Sequence, residues 1–126
     1  MAETPPLIAI VDDDPSVLKA LARLLRARSF AARTFQSGLQ FLASLSEGLP
    51  DYLILDLQMP EMTGLEIQQN LLRKGIQIPT IIITAHDQAG MRQRCKSAGA
   101  IAYLPKPVHE SSLLAAISAA GRNAKN

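Results

Sequence analysis

The chain has 126 residues, of which 48% are hydrophobic and 19% charged, and its formal net charge is +2. This length and apolar content indicate one folded domain with its own core and exclude a disordered chain. The single cysteine excludes a disulfide framework and a zinc knuckle, and 4% aromatic residues without tryptophan provide no platform for stacking nucleic-acid bases. No apolar run is long enough to span a bilayer and the first residues carry no secretory signal, so we expect a cytoplasmic protein without a membrane partner. The expected domain covers residues 1–126, with a core at about 7–120 and tails at 1–6 and 121–126.

In the first half of the chain, short apolar runs alternate with stretches of helical periodicity. Asp14 before Pro15 is typical of a helix N-terminus, because the carboxylate caps the first turn and proline suits the first helical position. Leucines at helical spacing follow from this point to about Arg28. The pattern predicts, in order, a buried strand at 7–11, this helix, a strand at 31–35, a short helix capped by Ser37 that ends at Gly48, and a strand at 52–55.

The second half of the chain continues the alternation. Residues 80–83 are its most β-branched run, and we expect them to form the central strand. Around them the sequence predicts a helix from Thr63 to Gly75, a helix over 88–98 with few inward-facing apolar residues, a strand at 101–104 and a helix over 110–120. Five strands that alternate with five helices predict an α/β fold, in which helices cover both faces of a parallel sheet.

Polar side chains stand where these apolar strands end. Asp12 and Asp13 follow the first strand, and Asp56 follows the third. Thr84 follows the fourth strand, and Lys106 comes shortly after the fifth. The carboxyl ends of the strands in a doubly wound sheet meet at one edge, so we expect these side chains to form one site.

The chemistry of this residue set points to phosphoryl transfer. Three converging carboxylates repel one another, and ligands that are all oxygen favour Mg²⁺ over zinc or copper as the ion that relieves the repulsion. The metal, an ammonium group and a hydroxyl would clamp the charge of a transferring phosphoryl group. A carboxylate beside them can act as the nucleophile, which gives an aspartyl phosphate.

Four segments carry a family resemblance: Ile10–Asp14, Ile54–Gly64, Ile82–Ala85 and Tyr103–Pro107. In this order and spacing they resemble the receiver domain of two-component response regulators, and the resemblance covers nearly the whole chain. Within that family, the sequence is similar to receivers of the nitrogen-fixation regulator type, which precede a helix-turn-helix output domain. The resemblance implies a flavodoxin-like, doubly wound (βα)5 fold with a five-stranded parallel sheet of order 2-1-3-4-5.

The resemblance implies roles for the acidic residues. Asp56 would accept the phosphoryl group and would also contact the metal. Asp13 would bind Mg²⁺ directly, whereas Asp12 would bind it mainly through water. Gln58 would offer its backbone carbonyl to the metal, so the identity of its side chain is expected to be loosely constrained.

The resemblance also implies which residues respond to the phosphoryl group. Lys106 would pair with Asp56 and later with a phosphoryl oxygen, and its bond to Pro107 is expected to be cis. Thr84 would turn inward to bind another phosphoryl oxygen, helped by the N–H group of Ala85. Tyr103 would then turn inward to fill the space that Thr84 leaves, although a tyrosine at a strand end is equally consistent with half-buried packing.

As a function, the resemblance implies a signalling switch rather than an enzyme with an external substrate. A histidine kinase would supply the phosphoryl group, and the domain would catalyse only its own Mg²⁺-dependent phosphorylation and slow dephosphorylation. The weakly packed helix at 88–98, the fifth strand and the last helix would form an output face for a phosphorylation-dependent homodimer. We expect a transcriptional output, and two arrangements stay open: a single-domain regulator, or a receiver taken from a longer protein whose DNA-binding domain is absent from this chain.

Three other functions fit parts of the pattern. A receiver that acts only as a constitutive interaction module should lack one of the acidic, threonine or lysine positions, and all are present. An aspartyl phosphatase usually has a second acid two residues after its nucleophile, where Gln58 stands. A flavodoxin should have a phosphate loop rich in serine, threonine and glycine after the first strand, where aspartates stand.

Overall fold

The computed structural model describes residues 4–124, and the outer parts of both predicted tails, 1–3 and 125–126, lie outside the described residues. Within this range, five strands alternate with five helices. The strands are β1 (Leu7–Val11), β2 (Ala31–Phe35), β3 (Tyr52–Asp56), β4 (Thr80–Thr84) and β5 (Ala100–Pro105). The helices are α1 (Pro15–Ala27), α2 (Gly38–Ser44), α3 (Gly64–Arg73), α4 (Met91–Ser97) and α5 (Glu110–Ala124), and a 3₁₀ turn at Leu45–Glu47 follows α2.

The five strands form one parallel sheet in the order β2-β1-β3-β4-β5. This confirms the predicted fold class and the strand order that the resemblance implies. The prediction that residues 80–83 form the central strand is wrong, because β3 occupies the centre and β4 lies between β3 and the edge strand β5. All five residues of β4 are buried, as β-branched composition predicts, but a strand next to the edge is also covered on both faces.

Several helix boundaries differ from the predicted ones, and the second helix ends at Ser44, before a 3₁₀ turn, instead of at Gly48. The fourth helix begins at Met91 instead of residue 88, because Gly90 before it has a left-handed φ of 78° that an α-helix does not contain. The last helix continues to Ala124, beyond the predicted end at 120. No helix in the part of the chain described by the structure is long and apolar enough to span a membrane.

The core consists of two apolar layers, one on each face of the sheet. Alternate residues of β3 point to opposite faces, so Ile54 packs with α1 and α5 while Leu53 and Leu55 pack with α2, α3 and α4. The first layer includes Leu18, Leu21, Leu25, Leu113 and Ile117, and the second includes Phe41, Leu65, Ile67, Leu71 and Cys95. The two layers fix the sheet, and with it the positions at which its strands end.

Helix starts hold the segments that surround the carboxyl edge of the sheet. Asp14 accepts a hydrogen bond from Ser16 N at 2.9 Å, which confirms it as the N-cap of α1. Thr63 and Glu66 form a reciprocal capping box at the start of α3. Gly64 allows α3 to begin directly behind β3, since a Cβ atom there would lie 2.5 Å from the backbone oxygen of Asp56.

Candidate functional site

An acidic cluster lies at the carboxyl edge of the sheet, where the sequence predicted it. Val11 pairs with Leu55 across β1 and β3, so Asp12 and Asp56 come next on adjacent strands. Together with Asp13 they offer three carboxylate oxygens that all lie within 4.8 Å of one another. The side chains of Asp12 and Asp56 are buried, and Asp13 is exposed. The cluster is therefore closed towards the core and open towards solvent on the Asp13 side.

Lys106 is the cation that faces this cluster. Its Nζ atom lies 2.7 Å from Asp12 Oδ2 and 3.2 Å from Asp56 Oδ1. The backbone N–H of Lys106 donates to Thr84 O at 2.8 Å, which ties the β5–α5 connection to the end of β4. The bond between Lys106 and Pro107 is cis, as the resemblance implies. The structure thus brings Asp12 and Asp56 to the ammonium group of Lys106, and Thr84 to its backbone.

The electrostatics of the cluster are unbalanced. Burial, and after it the negative charge of Asp12, raise the pKa of Asp56 from 3.8 to about 6, against the opposing effect of Lys106. Burial acts to lower the pKa of Lys106, but the hydrogen bond to Asp12 and the charge of Asp56 outweigh it and raise that pKa above its usual value. The ammonium group therefore stays charged, yet it does not neutralise three carboxylates.

The donor set fits a hard divalent cation. Asp56 Oδ1 is buried and has no hydrogen bond, although the ammonium of Lys106 lies near it. An unsatisfied, buried carboxylate oxygen in a group of oxygen ligands is a suitable ligand for Mg²⁺. Asp12, Asp13 and Asp56 would hold such an ion. The role predicted for the backbone carbonyl of Gln58 stays a prediction.

Thr84 and Gln58 are joined by a contact that the sequence did not predict. The Thr84 hydroxyl lies 2.8 Å from Gln58 Oε1, and Gln58 Nε2 lies 2.9 Å from the backbone oxygen of His86. The backbone N–H of His86 in turn lies 3.2 Å from Thr84 Oγ1. The expectation that the identity of the Gln58 side chain is loosely constrained did not anticipate these contacts, and it stays a prediction. No pattern in the sequence marks a glutamine in a loop as a partner of a strand-end threonine.

Tyr103 on β5 is already buried in this structure. Its hydroxyl donates to Asp87 Oδ1 at 3.0 Å, and the guanidinium carbon of Arg92 lies 4.7 Å from the ring centroid. Burial raises the pKa of Tyr103, and the bond to Asp87 raises it further. The ring connects the edge strand to the segment before α4. Its movement, and the role of the exposed Ala85 N–H, stay predictions.

The comparison with protein families and curated proteins gives one consistent result. The family model of the response regulator receiver domain matches residues 8–118. The response regulator protein TodT of Pseudomonas putida is 40% identical over 120 residues, which cover 95% of this chain and 53% of TodT. The transcriptional regulatory protein FixJ of Rhizobium meliloti is 36% identical over 92% of this chain and 57% of its own length. The chain spans about half the length of the curated relatives that it matches.

Solved structures show the same fold. The crystal structure of FixJ-N has a TM-score of 0.85 and 35% identity, and the match covers 97% of this chain and 96% of that one. A response regulator receiver protein from Burkholderia phymatum has a TM-score of 0.80 and 45% identity, over 91% of this chain and 94% of that one. The response regulator StyR has a TM-score of 0.84 and 39% identity, over 96% of this chain and 64% of that one.

Proposed function

This chain belongs to the family of response regulator receiver domains, in which phosphorylation-dependent switching is general, and we propose that Asp56 is the residue that accepts the phosphoryl group. The observation that supports this proposal is the position of Asp56, whose carboxylate lies beside those of Asp12 and Asp13 and 3.2 Å from the ammonium of Lys106. A histidine kinase would be the donor, as in the family generally. The flavodoxin and phosphatase interpretations do not agree with the family to which the chain belongs.

The site residues supply the parts that the transfer needs. An Asp56 carboxylate oxygen forms a bond to phosphorus while the bond from phosphorus to the donor's histidine nitrogen breaks, and the electron pair of that bond leaves with the nitrogen. A pKa of about 6 leaves Asp56 mostly ionised, and so nucleophilic, above that pH. Mg²⁺ bound by the three carboxylates would neutralise charge on the phosphoryl oxygens. Lys106, 3.2 Å from Asp56, is placed to pair with one of those oxygens.

The output face that we propose consists of α4, β5 and α5. Cys95 is the one buried residue of α4, and the segment before the helix is attached through polar contacts of Asp87 and Thr84. New negative charge at Asp56 would attract the Thr84 hydroxyl, which takes part in these contacts. Movement of Thr84 would then shift the segment before α4. We propose that the shift promotes a homodimer through this face and acts on transcription, since FixJ is named a transcriptional regulatory protein.

The test of phosphorylation is intact mass after incubation with acetyl phosphate and Mg²⁺. Wild type should gain the mass of one phosphoryl group, and Asp56→Asn should gain none. Asp14→Asn is the matched control, because Asp14 caps α1 outside the cluster, and it should gain the group like wild type. A folded wild type that never gains the group would contradict the proposal, and would favour a constitutive interaction module. Equal gain by Asp56→Asn would contradict the assignment of Asp56.

The test of dimerisation is sedimentation velocity with Mg²⁺, with and without beryllofluoride as a phosphoryl mimic. We expect the sedimentation coefficient to rise when beryllofluoride is present, and to stay unchanged in Asp56→Asn. A wild type that binds beryllofluoride and remains monomeric at high protein concentration would contradict the dimer while leaving the phosphorylation site intact.

A further inference from the structure

Three hydrogen bonds form a closed ring at the end of β4. They join the Thr84 hydroxyl, the side-chain amide of Gln58 and the backbone of His86. The distances are 2.8 Å from Thr84 Oγ1 to Gln58 Oε1, 2.9 Å from Gln58 Nε2 to His86 O and 3.2 Å from His86 N to Thr84 Oγ1. The ring links three different segments: the end of β4, the loop after β3 and the loop before α4.

The direction of each bond in the ring is fixed by the groups present. A carbonyl oxygen can only accept, so the Gln58 atom that faces His86 O must be the nitrogen, and the atom that faces Thr84 is then the oxygen. Thr84 has one hydroxyl proton, and although His86 O also lies 3.0 Å away, Gln58 Oε1 is nearer. The Thr84 oxygen meanwhile accepts from the His86 N–H. Each of the three hydrogen bonds therefore has its own donor hydrogen and its own acceptor.

We propose that Gln58 is a positioning residue that holds the receiver in its resting state by occupying the Thr84 hydroxyl proton. This proposal rests on the proposed function, because it assumes that Thr84 donates to a phosphoryl oxygen on Asp56. One proton cannot serve both acceptors, so the ring must open before Thr84 can serve the phosphoryl group. The side chain of Gln58 then sets part of the free-energy cost of switching.

The ring also couples the switching of Thr84 to the proposed output face. His86 belongs to the loop before α4, and its neighbour Asp87 accepts the hydrogen bond from Tyr103 on β5. When Thr84 leaves the ring, the His86 N–H loses its acceptor, and the loop loses a tie to β4. Gln58 therefore connects Asp56, the loop before α4 and the Tyr103 side chain. The connection consists of hydrogen bonds that can change partners, not of apolar packing.

The experiment compares wild type with Gln58→Met, which keeps the length of the side chain and removes both of its hydrogen bonds in the ring. Calorimetric titration with beryllofluoride in saturating Mg²⁺ should show about fivefold tighter binding to the variant, equivalent to about 1 kcal/mol. The variant destabilises the resting state, in which the ring is closed, and not the bound state, in which it is open. Equal or weaker binding by Gln58→Met would overturn the proposal.

A double-mutant cycle shows whether Gln58 acts through Thr84. In a Thr84→Ala background both ring bonds that involve Thr84 are already absent, so adding Gln58→Met should leave the affinity for beryllofluoride unchanged if Gln58 acts through Thr84. The same gain in both backgrounds would mean that Gln58 acts by another route, and would overturn the proposal. Gln69→Met is the matched control, because Gln69 is an exposed glutamine on α3 that lines the same surface groove as Gln58, and this variant should bind beryllofluoride like wild type.

A second measurement does not depend on beryllofluoride. Without it, the His86 amide should exchange with solvent faster in Gln58→Met than in wild type, and amides of α1 should not change. Unchanged exchange at His86 would contradict the ring in solution. Two other results would refute the proposed function and not the ring itself. In one, wild type does not bind beryllofluoride in the presence of Mg²⁺. In the other, wild type and Asp56→Asn bind it with equal affinity.

Discussion

The interior of the sheet and its carboxyl edge contribute to stability with opposite sign, and β3 contains residues of both regions. Leu53, Ile54 and Leu55 have no exposed surface and lie among apolar neighbours. The next residue, Asp56, is 2% exposed, but it faces another buried carboxylate and its pKa is raised. The interior stabilises the fold, and the edge destabilises it while keeping charge where chemistry can use it. The site is therefore held in place by packing that lies immediately behind it.

The largest effect should come from the interior. Ile54→Ala removes a fully buried side chain that packs in the layer of α1 and α5, and should lower the free energy of unfolding by about 4 kcal/mol. The measurement is urea denaturation at pH 7.5. Leu72→Ala, on an exposed leucine of α3, is the control and should change stability by less than about 0.5 kcal/mol. Similar losses for the two variants would remove the distinction between interior and surface on which the comparison depends.

The next largest effect is an increase in the free energy of unfolding, and it comes from Asp56 at the carboxyl edge. The pKa of Asp56 is higher in the folded state, about 6, than its usual 3.8, so the folded state binds the proton more tightly and ionised Asp56 opposes folding. The stability contributed by the protonated form is complete below about pH 4 and is lost as pH rises through about 6. At pH 8 in EDTA, the free energy of unfolding of Asp56→Asn should therefore be about 3 kcal/mol higher than that of wild type.

The pH profile distinguishes this effect from a change in packing. Denaturation of both proteins between pH 4 and pH 8 should give curves that converge at low pH, because Asp56 is then neutral in wild type as well. Asp13→Asn is the comparison within the cluster, and it should gain less because Asp13 is exposed. A variant that is more stable than wild type by the same amount at every pH would show that the gain is not electrostatic.

A smaller effect should follow when Mg²⁺ is added. An ion bound only by the folded state stabilises wild type by about 1.4 kcal/mol at ten times its Kd, because it offsets the repulsion among the carboxylates. Thermal unfolding in Mg²⁺ and in EDTA measures the effect, which should decrease below about pH 6 as Asp56 takes up a proton. Asp56→Asn should show a smaller increase. Equal increases for the two proteins would contradict the assignment of Asp56 as a ligand.

The sequence predicts the location of the site better than its internal contacts. Asp12, Asp56 and Lys106 were placed together because residues after parallel strands meet at one edge whatever their side chains do. The position of β4 was predicted wrongly, because β-branched residues report burial and not the order of strands. The ring through Gln58 depends on side-chain orientations across three segments, and a periodic pattern in a sequence does not encode those. What the sequence leaves open at this site is hydrogen bonding, not topology.

The smallest change in the free energy of unfolding should come from α4. Polar contacts hold this helix near the carboxyl edge, and it has little apolar packing. Arg92 lies on the Tyr103 ring, and Cys95 is the one buried residue of this helix. Arg92→Ala should lower the free energy of unfolding by about 0.5–1 kcal/mol, since it removes one cation–π contact near the surface.

The more informative readout of Arg92→Ala is local. Hydrogen exchange should become faster in α4 and stay unchanged in α1, whose four buried residues anchor it to β1 and β3. If exchange increased equally in both helices, α4 would be part of the cooperative interior, and the polar edge would not be an independently movable part of the fold. If it increased in α4 alone, the carboxyl edge would be separable from the packing behind it, as a switch at that edge requires.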